Sequence, residues 1–299
     1  MEKVGRASLI LKWSRRIRRT LMLVVLAYLL VCIFVWATQR HRIFEPYAAL
    51  QSNPERMGVK FDTLSIPSGT GTEHGDLDAW WLPSTRADAP TILYLHGNDK
   101  NMGYSRDIDR AVRLNLLGYN VLTLDYRGYG KSTGGEPSET KVYEDAEATW
   151  NYLIKQRAAN PKRTFIFGHS LGGAIAIELA IHHPEAAGII AESTFTSMTD
   201  VVKRKVPFLP VDLLLNQRFE SLRKVGKLRI PLLIIHGTWD KLVPYQMGQR
   251  LYDAAPQPKI MKLVANGEHN NTDVIASVEC NQALNEFIQR YSGSVPSQQ

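Results

Sequence analysis

The sequence predicts an α/β domain built on a mostly parallel sheet of eight strands with helices on both faces, preceded by one transmembrane helix. Three observations predict it. Residues 20–39 carry no charged side chain. From about residue 58, short and nearly continuous apolar runs alternate with helical stretches, the pattern of strands covered on both faces. Polar, chemistry-bearing residues follow the carboxyl ends of those runs, where parallel sheets bind their ligands.

The N-terminal element comes first. Nine of the 36 Lys/Arg but only one of the 29 Asp/Glu fall in residues 1–42 of this 299-residue chain, whose formal charge is +7. The remainder is near neutral, so a nucleic-acid partner loses its main support. Behind a basic segment, 1–19, the stretch Thr20–Gln39 forms 20 uncharged residues. At 1.5 Å per residue it spans a hydrocarbon core of roughly 30 Å. A cleaved secretory signal is the alternative, with Val35 and Ala37 as its small-residue site. The long basic lead and the length of the run favour a retained anchor. Seven Lys/Arg before the span and two close behind it put the N-terminus in the cytoplasm and the body on the other side. The sequon Asn270-Asn271-Thr272 adjoins a candidate catalytic histidine. A glycan there would obstruct, which favours a bacterial inner membrane and periplasm over a secretory lumen. Cys32 and Cys280 match no disulfide, metal or redox pattern.

The body, 43–291, opens with VKFDTLSI and LDAWWL around the turn-rich SGTGTEHGD, an antiparallel hairpin. Strands follow at 91–95, 120–125, 164–168, 187–191, 231–237 and 259–264, with helices such as SETKVYEDAEATWNYLIKQR between them; this order implies right-handed crossovers. Residues 193–229 are too long for a simple crossover. They read equally as a cap over the site, a second membrane contact, or a crossover with an extra helix packed on the sheet. Residues 292–299 read as a tail.

The stretch GHSLGG, Gly168–Gly173, joins an apolar strand to a helix. A GxSxG sequence there forms a sharp turn that strains the serine backbone and projects its Oγ above the sheet. The helix N-terminus adds free N–H groups and a positive dipole end, suited to an oxyanion. The N–H of Leu171 is one donor; Gly97 is expected to let the loop after 91–95 turn so that the N–H of Asn98 is the second. Ser170 needs a base. His182 and His183 lie at the far end of the helix, roughly 18 Å away, and His236 closes a strand, where a structural hydrogen bond to a loop is expected. His269, in the loop NGEHNN, remains. Asp240, in HGTWD, is the expected orienting acid, with Glu192 and Glu268 as rivals.

HGN, DYRGYGKS, GHSLGG, HGTWD and GEH occur in this order, and the chain resembles the α/β-hydrolase superfamily, most of all its membrane-anchored serine hydrolases, which include bacterial peptidase-like or esterase-like enzymes and eukaryotic depalmitoylases. The resemblance runs from about residue 43 to 291. It implies a triad of Ser170, Asp240 and His269 with oxyanion donors Leu171 and Asn98, in agreement with the residue-level reading. Within it Asp125, Arg127 and Gly130 form a structural loop; GYGKST is not a phosphate loop, because Asp125 stands where the motif needs glycine. Trp80, Trp81 and Trp239 line a pocket or simply pack.

The expected function is hydrolysis of a carboxylic ester or thioester, lipid-linked ones included, through an acyl-enzyme, with no cofactor and no metal. The expected partners are a small-molecule or lipid-linked acyl substrate and the membrane. The alternatives are a serine peptidase or aminopeptidase-like hydrolase and a non-catalytic binding protein on the same fold.

Overall fold

The structure is a computed structural model that describes residues 2–293; the expected tail lies outside the described residues from 294 onward. One helix, α1 (Glu2–Ile43), leads into β1 (Glu45–Pro46), the hairpin β2 (Asp62–Ser68) and β3 (Gly75–Leu82), then β4 (Thr91–Leu95), β5 (Asp99–Lys100), α2 (Ser105–Leu116), β6 (Asn120–Leu124) and α3 (Glu139–Lys155). The chain continues through β7 (Thr164–His169), α4 (Leu171–His182), β8 (Gly188–Glu192), α5 (Met198–Lys205), α6 (Val211–Leu214) and α7 (Ser221–Val225). It ends with β9 (Leu232–Gly237), α8 (Tyr245–Ala254), β10 (Lys259–Val264), α9 (Thr272–Ile275) and α10 (Ser277–Tyr291).

Eight strands form the main sheet in the order β10–β9–β8–β7–β4–β6–β3–β2. Only the β2–β3 and β3–β6 pairs are antiparallel. Alternate strand residues feed two cores. Leu93 and Leu95 of β4 join Trp150 of α3, Ile175 of α4 and Leu251 of α8 on one face. Ile92 and Tyr94 join Ile108 and Val112 of α2 and Phe287 of α10 on the other. Burying each such side chain contributes about 1.5–3 kcal/mol, which is why the strands read as continuous apolar runs. Helix α4 is buried nearly all round because it is covered by α3 and α7 as well as by the sheet.

Among the described residues, one helix is long and apolar enough to cross a membrane, Arg15–Ile43, and only 6% of its most apolar window is buried. Cys32, Gln39 and Ile43 are buried and Val35 half-buried. Together with Tyr28 these positions fall at helical spacing on one face, and that face meets the body. The segment 193–229 divides. Phe219 and Val225 of its second half are fully buried, Phe219 against Phe44 and Tyr143 and the helix α7 against α4 and α8, as a crossover requires. Its first half, α5 and α6, stands over the rim beside Ser170 and packs on α1.

Candidate active site

Ser170 sits between β7 and α4 with φ 53° and ψ −115°, a left-handed backbone that costs a non-glycine residue on the order of 1–3 kcal/mol. Its surroundings enforce the turn: the Ser170 N–H donates to the Glu192 carbonyl at 2.9 Å, and the Thr194 hydroxyl donates to the Ser170 carbonyl at 2.8 Å. A Cβ on Gly168 would overlap the carbonyl of Gly172, and one on Gly172 would overlap the carbonyl of Leu95. Strand and helix thus approach closely only because both positions are glycine.

The His269 ring bridges two side chains. Its Nε2 lies 2.9 Å from Ser170 Oγ and its Nδ1 lies 2.7 Å from Asp240 Oδ2. The other oxygen, Asp240 Oδ1, accepts the N–H groups of Leu242 at 3.0 Å and Val243 at 2.7 Å. Burial opposes ionisation of Asp240, but the hydrogen bonds from His236, His269 and the Val243 N–H outweigh it and hold the carboxyl well below its usual range. His236 fixes this loop through its Nε2, 2.8 Å from the Val243 carbonyl. The rivals are engaged elsewhere. Glu192 is buried in an ion pair with Arg110 at 2.9 Å and accepts from the Thr272 hydroxyl; Glu268 is exposed, its N–H turned to Asn271. His183 pairs with Glu147 and Glu185.

Asn98 and Leu171 line the same cavity as Ser170, and among the described residues neither N–H has a hydrogen-bond acceptor. The loop carrying Asn98 is clamped: Tyr126 donates to the His96 carbonyl at 3.1 Å and Tyr129 to the Asn98 carbonyl at 3.0 Å. The Asn98 side chain donates to the carbonyl of Ile43, the last residue of α1, at 2.8 Å. Gly97 departs from expectation. Its φ lies outside the left-handed region, and a Cβ there would stand 3.4 Å from His169 Nδ1 and 3.7 Å from Ser170 Cβ. The turn does not demand glycine; its bareness keeps the space above Ser170 open.

Three supports escaped the sequence reading. His169 is buried, and its Nε2 meets the His269 carbonyl at 3.1 Å. Burial first, then the Arg110 charge, pushes its pKa well below the usual imidazole value, so it is a neutral donor. Tyr126 and Tyr129 lie inside DYRGYGKS and were readable as part of a loop, not as a clamp. Arg110 belongs to no motif; its signal was a cation on the buried face of α2. Of the tryptophans, Trp80 is buried against Phe61 and Trp81 carries Arg157 over its ring, while Trp239 is exposed.

The cavity beside Ser170, about 460 Å³, is walled by Met198, Val201 and Leu209 on one side and by Val35 and Gln39 of α1 on the other. A more polar hollow of about 330 Å³ adjoins it, with Asp107, Arg106 and Asn270 in its lining.

A family profile described as Hydrolase_4, serine aminopeptidase, S33, matches residues 87–223. The chain is 33% identical over 264 residues to the uncharacterized protein Rv2307c of Mycobacterium tuberculosis (strain ATCC 25618 / H37Rv), covering 86% of this chain and 90% of that one. It is 37% identical over 215 residues to the lysophosphatidylserine lipase ABHD12 of Danio rerio, covering 65% of this chain and 55% of the relative. Among solved structures, the esterase Pf2001 of Pyrococcus furiosus matches with a TM-score of 0.69 at 21% identity, over 83% of this chain and 97% of that one; this likeness bears on the fold.

Proposed function

The chain has the α/β-hydrolase fold and belongs to the α/β-hydrolase superfamily, and from that premise we propose that it is a membrane-anchored serine hydrolase that cleaves carboxylic esters or thioesters. The observation that carries this reading is the His269 ring, within hydrogen-bond reach of Ser170 Oγ at one nitrogen and of Asp240 at the other. His269 takes the serine proton as Oγ attacks the acyl carbonyl. The N–H groups of Leu171 and Asn98 receive the oxyanion, and His269 then protonates the leaving group. Water repeats the sequence on the acyl-enzyme. Asp240, held ionised, keeps the imidazole in the required tautomer.

The apolar cavity on the Leu171 side of Ser170 supports an acyl chain as the bound group. The name of the lysophosphatidylserine lipase relative agrees with a lipid ester. An aminopeptidase-like reaction is the second reading, favoured by the matched profile's description and by Asp99, Asp107 and Glu45 around the polar hollow, which suit an α-ammonium group. The domain division follows the sequence reading: basic cytoplasmic segment 1–19, span 20–39, hydrolase body 43–291 with its insertion 193–229 on the non-cytoplasmic side, and tail 292–299.

Labelling by a fluorophosphonate probe, lost in Ser170→Ala, tests the nucleophile; folded wild-type protein that takes no label defeats the proposal. A chain-length series of p-nitrophenyl esters run beside aminoacyl and peptide substrates separates the two readings. A fusion of alkaline phosphatase after residue 50 tests topology, since it is active only if the body is exported.

A further inference from the structure

The segment 206–216, which runs from the end of α5 through α6, is tied to α1 at two heights. The Tyr28 hydroxyl donates to the Phe208 carbonyl at 3.0 Å. Gln39 donates to the Leu214 carbonyl at 3.2 Å and accepts the Asn216 N–H at 2.8 Å. Tyr28 and Gln39 are about 16 Å apart along the axis at 1.5 Å per residue. The body therefore does not stop where the apolar stretch of α1 begins; residues 206–216 run back along it for three turns. What this segment turns outward is apolar: Phe208 is 68% and Leu213 84% exposed, and Leu29, Ile33 and Trp36 of α1, within the stretch that the segment follows, are exposed as well. Cations flank the patch, Arg40 and Arg42 at the end of the span and Lys203, Arg204 and Lys205 at the end of α5. Asp212, the one acid in the loop, is paired with Lys203 at 2.7 Å.

An apolar face continuous with a helix of membrane-spanning length, and edged by cations, fits hydrocarbon below a layer of phosphate headgroups. The cavity beside Ser170 lies between the same two elements, with Val35 and Gln39 forming its wall on the α1 side and Val206, Leu209 and Leu215 its wall on the insertion side.

We infer that the loop 206–214 is embedded in the lipid leaflet alongside α1, and that the Ser170 cavity takes its acyl chain from that leaflet, between anchor and loop, without passage through water. Phe208 and Leu213 do not line the cavity; their role is contact with lipid. The anchor is then one wall of the acyl site and more than a tether. This access route rests on the hydrolase reading, whereas the depth of the loop does not.

The two parts are tested separately on the full chain in phosphatidylcholine vesicles. Spin labels are attached to Phe208→Cys and to Leu213→Cys in a Cys32→Ala, Cys280→Ala background, with Lys162→Cys as an exposed control. Labels at 208 and 213 are expected to collide with oxygen more than with a water-soluble nickel chelate, and the control the reverse; nickel accessibility like that of the control overturns the embedding. The double variant Phe208→Asp, Leu213→Asp, in the native cysteine background, is expected to hydrolyse p-nitrophenyl acetate within about twofold of wild type, as surface changes away from a site do. Its hydrolysis of vesicle-borne p-nitrophenyl palmitate is expected to fall about tenfold or more, because charge resists burial in lipid. Equal loss on both esters, or loss on neither, overturns the access route. A wild type that hydrolyses neither ester defeats the hydrolase reading while the spin labels still decide the depth.

Discussion

His169 and His269 stand ring against ring, 5.3 Å between centroids, and His169 Nε2 meets the His269 backbone carbonyl at 3.1 Å. The residue just before Ser170 thus fastens the loop that carries His269. His169→Phe keeps a ring of similar size and removes the donor. It is expected to lower kcat about tenfold, the scale of one lost positioning contact, with KM little changed, and His169→Gln to recover part of the loss. Stopped-time hydrolysis of a p-nitrophenyl ester measures both; unchanged kcat in the Phe variant refutes the positioning role.

Asp240→Asn leaves a side chain of the same size that can still accept from the Leu242 and Val243 N–H groups, but it presents an amide to His269 and inverts the tautomer. The expected loss is about 10⁴ in kcat, with melting temperature close to wild type because the loop contacts persist. Glu192→Gln, at the rival acid, is the control: it breaks a buried ion pair with Arg110 and is expected to cost roughly 3–5 kcal/mol of stability before any effect specific to chemistry. Matching losses of kcat in two well-folded variants would leave the acid unassigned to Asp240.

The architecture was legible because its causes are local. Apolar runs covered on both faces announce parallel strands, and the order of HGN, GHSLGG, HGTWD and GEH follows the order in which strands β4, β7, β9 and β10 reach one rim of the sheet. The supports were not legible because they are pairings across the fold. Tyr129 and Asn98 are 31 residues apart, Arg110 and Glu192 are 82 apart, and neither partner carries a spacing that betrays the other. Gly97 was read as a backbone requirement when the free space above Ser170 is what its missing side chain provides. The insertion stayed ambiguous for a physical reason as well: one half packs on helices α4 and α8 of the body and the other on α1, so its composition averages two environments.

Asp125 gives a pH test. Its carboxyl is buried, and burial, only partly offset by the Met102 N–H, pushes its pKa well above 3.8. At pH values between the unfolded and folded pKa, the folded state holds a proton that the unfolded state has released. Stability from this group is present in full below the unfolded value and is lost as pH rises toward the folded value. Asp125→Asn, permanently neutral and able to accept from Met102, escapes that loss. Between pH 4 and pH 8 the melting temperature of the Asn variant is expected to gain steadily on wild type; a difference that stays constant across the series refutes a protonated Asp125.

Two glycines near Ser170 separate folding from turnover. At Gly168 a Cβ would meet backbone on two sides, the Gly172 carbonyl and, at 2.6 Å, Gly173 Cα. Neither can yield without parting strand from helix, so Gly168→Ala is expected to cost more than about 3 kcal/mol and to yield little folded protein. At Gly97 the nearest atoms stand at 3.4 and 3.7 Å and the backbone is unstrained for any residue, so Gly97→Ala is expected to melt within a few degrees of wild type. Its methyl group, however, occupies the approach to Ser170 Oγ beside the N–H of Asn98. Turnover should therefore fall, and fall further in Gly97→Val, while melting temperature changes little. Thermal melts and ester hydrolysis on the three variants check this, and a Gly97→Ala enzyme of full activity would show that the acyl group approaches Ser170 from another side.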